Sequence, residues 1–152
     1  MEIAYGLDEK KYLKAILENS PDLLEAFRDE DWEELDTLIS DPRYDGSDFY
    51  KSIYVLDPEL LDEILNELKY IPKFMFYGYD NLTDFTISNN ITKIERGSFY
   101  NCTGLKNIKV PESVTYIDRS AFRGCINLNL KLPLKFKLAI DIYQDCKSVK
   151  FY

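Results

Sequence analysis

Cysteine is the side chain of this sequence best suited to nucleophilic or redox chemistry, and it occurs three times, as Cys102, Cys125 and Cys146. A thiolate can attack, bind a metal or close a disulfide, but each role needs partners. No two of the three form a CxxC pair, and the sequence contains no histidine. Neither a Cys/His zinc shell nor a histidine-based serine or cysteine triad can therefore be assembled. An odd count argues against a disulfide framework. The spacing suits small buried side chains in a reduced chain, while a Cys102–Cys125 pairing stays geometrically open.

Carboxylates are the second resource. Asp29, Glu30, Asp31, Glu33, Glu34 and Asp36 place six acids within eight residues. Such a run reads either as the solvated face of a helix or as an anionic surface able to occupy a site built for phosphates. Acid–base catalysis needs two carboxylates in contrasting environments, and nothing in the pattern sets two of these apart in a pocket. Phosphate loops, nucleophile elbows and dinucleotide fingerprints are also missing. The sequence predicts a protein without catalytic residues, cofactor or metal.

Charge is distributed unevenly. The chain carries 27 acidic and 19 basic side chains, net −8. Residues 1–70 hold 20 acidic and 7 basic groups, net −13, whereas residues 71–152 hold 7 and 12, net +5. This asymmetry concerns long-range fields and choice of partner, and it predicts a boundary near residue 70. With 45% hydrophobic and 30% charged residues, a disordered tail is excluded. The apolar runs fall short of the roughly 20 residues that a bilayer requires. The start, MEIAYGLDEKKYL, has neither the basic opening nor the apolar stretch of a secretory signal, so a cytoplasmic location is expected.

Helices separated by proline and glycine are predicted for residues 1–70. Asp8 can cap a segment running to about Asn19, and Ser20-Pro21-Asp22 is a helix-start pattern. Trp32, Leu35, Leu38 and Ile39 recur at helical spacing until Ser40-Asp41-Pro42. Ser47 can open a helix carrying Phe49 and Ile53, and Asp57-Pro58-Glu59 leads into the stripe Leu60, Leu61, Ile64, Leu65 and Leu68.

The second half repeats. Residues 82–104 read LTDFTISNNITKIERGSFYNCTG and residues 105–127 read LKNIKVPESVTYIDRSAFRGCIN, superimposing at a period of 23 without a gap. Leu82, Phe85, Ile87, Ile91, Ile94, Phe99 and Cys102 match Leu105, Ile108, Val110, Val114, Ile117, Phe122 and Cys125. Upstream, Ile71, Phe76 and Tyr79 keep the same register. Downstream, Leu128, Leu130, Leu132 and Pro133 follow Leu105, Ile108, Val110 and Pro111 with one residue deleted; Leu138, Tyr143, Cys146 and Val149 then fall 21 residues after Ile117, Phe122, Cys125 and Leu128. Each unit is predicted to contain two short extended pieces, and stacked units bury the apolar columns that one unit cannot bury alone.

The stretch IKVPESVTYIDRSAFRGCINL resembles the BspA-like leucine-rich repeat, I-x-I-P-x-S-V-T-x-I-G-x-x-A-F-x-G-C-x-x-L, with Asp118 at the usual glycine and Ser88 replacing proline in the preceding unit. The resemblance covers residues 71–152. It implies an α+β protein in which an acidic helical domain, 1–70, caps a short solenoid, 71–152. That solenoid divides into a partial first repeat 71–81, repeats 82–104 and 105–127, and a degenerate repeat 128–152. It also implies binding of other proteins and no catalysis, in a small intracellular or phage-type member.

Two surfaces are candidates for that binding. One is the acidic run 29–36, favoured by charge because six clustered acids have little evident intramolecular purpose and can steer a basic partner. The other is the outward strand face, with Asp84, Thr86, Lys106, Asn107, Lys109, Asn129 and Lys131; Tyr116 joins it as one of several tyrosines (Tyr44, Tyr50, Tyr54, Tyr77 and Tyr100) expected to be partly exposed. The first function read from these features is a protein-interaction module. The second is a phage-encoded, anti-CRISPR-like inhibitor of a host defence nuclease, acting by acidic nucleic-acid mimicry. Direct nucleic-acid binding by the strand face is disfavoured because the basic density is modest and aromatic interleaving is sparse.

Overall fold

The computed structural model describes residues 17–41 and 46–152. The chain divides into two compact units, Met1–Leu68 and Lys69–Tyr152. The segment expected from Asp8 lies largely outside the described residues; 17–19, at its end, are helical.

Four helices follow in the first unit: α1 Pro21–Arg28, α2 Trp32–Ile39, α3 Gly46–Leu56 and α4 Pro58–Leu68. Their core is formed by Leu23, Trp32, Leu35, Phe49, Ile53, Leu61 and Ile64. Phe27 meets Trp32 and Phe49 edge-on at 5.7 and 6.4 Å. Asp57 caps α4 by accepting the Leu60 N–H at 3.1 Å. Ser20 departs from expectation, for its side chain makes no capping bond. The backbone ψ is 87° at Ser20 and 81° at Asp31; in this similar geometry the aspartate, one atom longer, reaches the Glu34 N–H at 3.1 Å.

The turn between α1 and α2 is a Schellman motif. Asp31 N–H donates to Ala26 O and Glu30 N–H to Phe27 O, with Glu30 left-handed at φ 55°. Glycine normally occupies that position.

The second unit is built from two parallel ladders. The first joins β1 Tyr70–Ile71, β2 Lys93–Ile94 and β4 Tyr116–Ile117, pairing Tyr70 with Lys93 with Tyr116, and Ile71 with Ile94 with Ile117. The second joins β3 Asn107–Lys109, β5 Asn129–Leu132 and β6 Ser148–Phe151, and a bridge from Asp84 to Asn107 extends it. Thr92 Oγ1 donates to Lys69 O, and Thr115 Oγ1 to Thr92 O, each across 23 residues. The matching apolar positions are buried, Phe85 alone being half-buried. Phe76, Phe99 and Phe122 stack in sequence.

The C-terminal register is a correction. Leu138, aligned with buried Ile117, is 92% exposed, and Val149 pairs with Leu130, not with the row of Leu128. A 3₁₀ turn, Leu134–Phe136, and the short helix α5 Ile140–Tyr143 intervene. They turn Phe136 and Ile142 inward, and the chain then returns as an additional strand, β6.

Candidate binding surface

Short strands put alternate side chains on opposite faces. In β3 the burial alternates exposed, buried, exposed over Asn107, Ile108 and Lys109, and in β5 Leu130 and Leu132 point inward. The outward side chains surround a concavity of about 590 Å³ whose lining includes Asp84, Thr86, Asn107, Lys109, Asn129 and Lys131. Six of the seven residues expected on this face therefore come together. Lys106 is exposed but does not line the concavity; its carbonyl accepts the Asn129 N–H.

Sequence reading missed three contributors. Glu112 and Tyr152 also line the concavity. Lys109 Nζ stands 4.8 Å above the Tyr152 ring, whose hydroxyl donates to Val110 O; burial, with Glu112 nearby, raises the Tyr152 pKa. Lys150 pairs with Lys131, which pairs with Lys109. Only the correct register of β6 discloses this last member.

Tyr116 lies on the other ladder and is 47% exposed. Its hydroxyl donates to Asp118 Oδ2 at 3.3 Å, and the negative charge of Asp118 raises its pKa. Burial pushes Asp118 upward, but hydrogen bonds from the Ser120 hydroxyl and N–H, from Tyr116, and the charge of Arg119 outweigh it and hold the carboxyl below its ordinary value. An aspartate here ties the turn at Ser120, which accounts for its place where the repeat commonly has glycine.

In the first unit Asp29, Glu30, Asp31, Glu33 and Glu34 are exposed, but two of the six acids have internal work. Asp31 caps α2, and Asp36 accepts the Tyr50 hydroxyl at 2.6 Å. Tyr50 itself is buried, contrary to expectation, and packs edge-on against Phe49. Tyr44 lies outside the described residues. Tyr77 and Tyr100 are partly exposed and stack on each other at 5.0 Å.

The thiols follow the repeat. Cys102 donates to Phe76 O at 3.0 Å and Cys125 to Phe99 O at 2.9 Å; both are free and buried. Desolvation raises the Cys125 pKa, and with help from Asp145 pushes Cys146 up to about 12. Among the described residues no group of three or more Cys, Asp or Glu side chains is arranged to hold a metal.

The family model for a BspA type leucine-rich repeat region (6 copies) matches residues 62–150, more than half of the chain. The chain belongs to this family. Comparison with curated proteins and with solved structures returns no match. The match of the BspA type repeat begins at Asp62, within α4, ahead of the first strand. The leucine-rich repeat is generally a non-enzymatic interaction fold, and this membership points to a protein partner. No helix among the described residues is long and apolar enough to cross a membrane.

Proposed function

We propose that the protein is a non-enzymatic interaction module that seats a protein partner on the β3–β5–β6 face. One observation carries this reading: outward side chains from successive strands surround a single concavity of about 590 Å³, a shape that takes a protruding element of another protein. The repeat region is read as a short solenoid of 23-residue turns with the acidic helical unit as its N-terminal cap. The ladder register and the start of the family match inside α4 support that architecture. Two buried free thiols fit a reducing, cytoplasmic setting.

The test fills the concavity. A partner is isolated from the native source, identified by mass spectrometry, and its affinity measured for the parent and for Asn107→Trp and Thr86→Trp, both at exposed positions. Binding is expected to fall at least tenfold, about 1.4 kcal/mol. Unchanged affinity in both variants sinks the reading.

The second reading is nucleic-acid mimicry by the acidic unit, including its nuclease-inhibitor form. It is favoured by the exposure of Asp29, Glu30, Glu33 and Glu34 around one turn. Mimicry makes partner binding weaken steeply with salt.

A further inference from the structure

Lys109, Lys131 and Lys150 are direct register partners on three adjacent parallel strands. All three are exposed. Neighbouring strands lie about 4.8 Å apart, so three ammonium-bearing stems leave one face of the sheet in a single file. Like charges placed directly opposite each other in a sheet are destabilising. Among the described residues none of the three makes an ion pair. Lys109 has a Tyr152 ring beneath it; Glu112, the nearby acid of the concavity, is paired with Lys135 at 3.7 Å. Beside the lysine file runs a second, uncharged file, Asn107, Asn129 and Ser148, in which Ser148 Oγ donates to Asn129 Oδ1 at 2.7 Å. A row of unrelieved positive charge with hydrogen-bonding side chains along it is suited to an anionic ligand lying across the strands.

We infer that the Lys109–Lys131–Lys150 file is a docking site for an acidic α-helix of a partner protein, with carboxylates at positions i, i+3 or i+4, and i+7. The inference rests on the strand-face reading above and names the partner's chemistry. Spacing selects the helix. The outer lysine stems are two strand spacings apart, about 9.6 Å. Positions i and i+7 of a helix are separated by about 10.5 Å along its axis, with an intermediate residue on the same face. In an extended peptide, the three successive residues of one face span about 13 Å. A nucleic-acid strand is less favoured: single-strand sites use aromatic platforms for the bases, and the ring beside the file, Tyr152, already carries Lys109 on its face.

The probe is a synthetic alanine-rich helical peptide of about 18 residues carrying Glu at i, i+4 and i+7, compared with its Gln counterpart and with a 12-nucleotide thymidine single strand. Binding to the full chain is followed by amide chemical shifts at low ionic strength. Shifts concentrated at Asn107–Lys109, Asn129–Lys131 and Ser148–Lys150 are expected with the Glu peptide and at least fivefold weaker binding with the Gln peptide. Lys131→Gln with Lys150→Gln should weaken the Glu peptide at least fivefold, while Lys131→Arg with Lys150→Arg, which keeps the charges, should retain it. Shifts elsewhere, equal binding of the two peptides, indifference to the Gln variants, or tighter binding of the oligonucleotide overturns the proposal. If Asn107→Trp abolishes binding of the native partner while the lysine variants leave it unchanged, the strand-face reading stands and the acidic-helix assignment fails.

Discussion

The rings of Phe99 and Phe122 lie face to face, with centroids 5.4 Å apart and planes within 5° of parallel. Phe76 stacks on the far side of Phe99 at 5.7 Å, so Phe99 has aromatic neighbours on both faces. Truncating either Phe99 or Phe122 to alanine removes a fully buried ring and leaves a cavity, a loss of about 3–5 kcal/mol. Thermal unfolding of each variant should show a drop of at least about 10 °C for a unit of this size. A Phe122→Ala protein that melts close to the parent would count against the stacked core.

The phenylalanine and cysteine columns were legible because both central repeats place one buried side chain at the same offset, and burial within a stack tolerates little variation in type. Where the unit shortens, that logic loses its ruler. Leu138 looked like the successor of Ile117 on spacing, yet the 3₁₀ turn and short helix bring Phe136 and Ile142 inward and leave Leu138 in solvent. The same slip hid β6, and with it Lys150. In the first unit helix starts were readable from Asp57 and Pro58, while the left-handed Glu30 was not, because no glycine marks it. Asp31 and Asp36 looked like surplus charge; their internal roles depend on a cap geometry and on Tyr50, a tertiary neighbour fourteen residues away.

Gly78, Asn101 and Gly124 occupy one position of successive repeats, all left-handed at φ 67°, 56° and 77°. Alanine at Gly78 meets nothing within 4 Å and should cost about 1–2 kcal/mol for its backbone conformation alone. Alanine at Gly124 would in addition place its Cβ 1.9 Å from Asn101 Oδ1. Gly124→Ala is therefore expected to destabilise more than Gly78→Ala in urea unfolding. Combining it with Asn101→Gly should bring its cost down to the Gly78→Ala level. Equal costs of the two alanine variants in the parent background would show that the Asn101 contact is irrelevant.

Cys125 and Cys146 both keep their protons more tightly in the folded chain than when unfolded, Cys146 to about 12. An unfolded cysteine ionises near about 8.5, so above that pH the unfolded chain binds fewer protons than the native one and stability falls as pH rises. The effect is complete in its favour below about pH 8.5 and is lost progressively toward pH 12 at Cys146. Urea midpoints should decline between pH 8 and 10.5, and Cys125→Ala with Cys146→Ala should flatten part of that slope. A double variant with an unaltered slope would refute the assignment. Native thiols at pH 8 should also react with a disulfide reagent far more slowly than the unfolded chain.

The acidic turn and the strand face compete as the working surface, and reversing the acids to lysine separates them poorly. Glu33 and Glu34 occupy the first turn of α2, where carboxylates complement the helix dipole; lysines there would cost about 0.3–1 kcal/mol each and confound folding with binding. Asp31→Ala would remove a cap worth about 1 kcal/mol. Neutral substitutions, Glu33→Gln with Glu34→Gln, delete two exposed charges while keeping shape, and Lys131→Glu reverses the centre of the lysine file. If the partner sits on the strands, the glutamine pair should change its affinity less than twofold and Lys131→Glu should weaken it at least tenfold, about 1.4 kcal/mol, when calorimetric titrations are compared at low and high salt. Mimicry of nucleic acid demands the reverse: a tenfold loss for the glutamine pair, indifference to Lys131→Glu, and a salt slope that flattens once the two acids are gone. That pattern would move the function to the α1–α2 turn and leave the repeats as the scaffold that presents it.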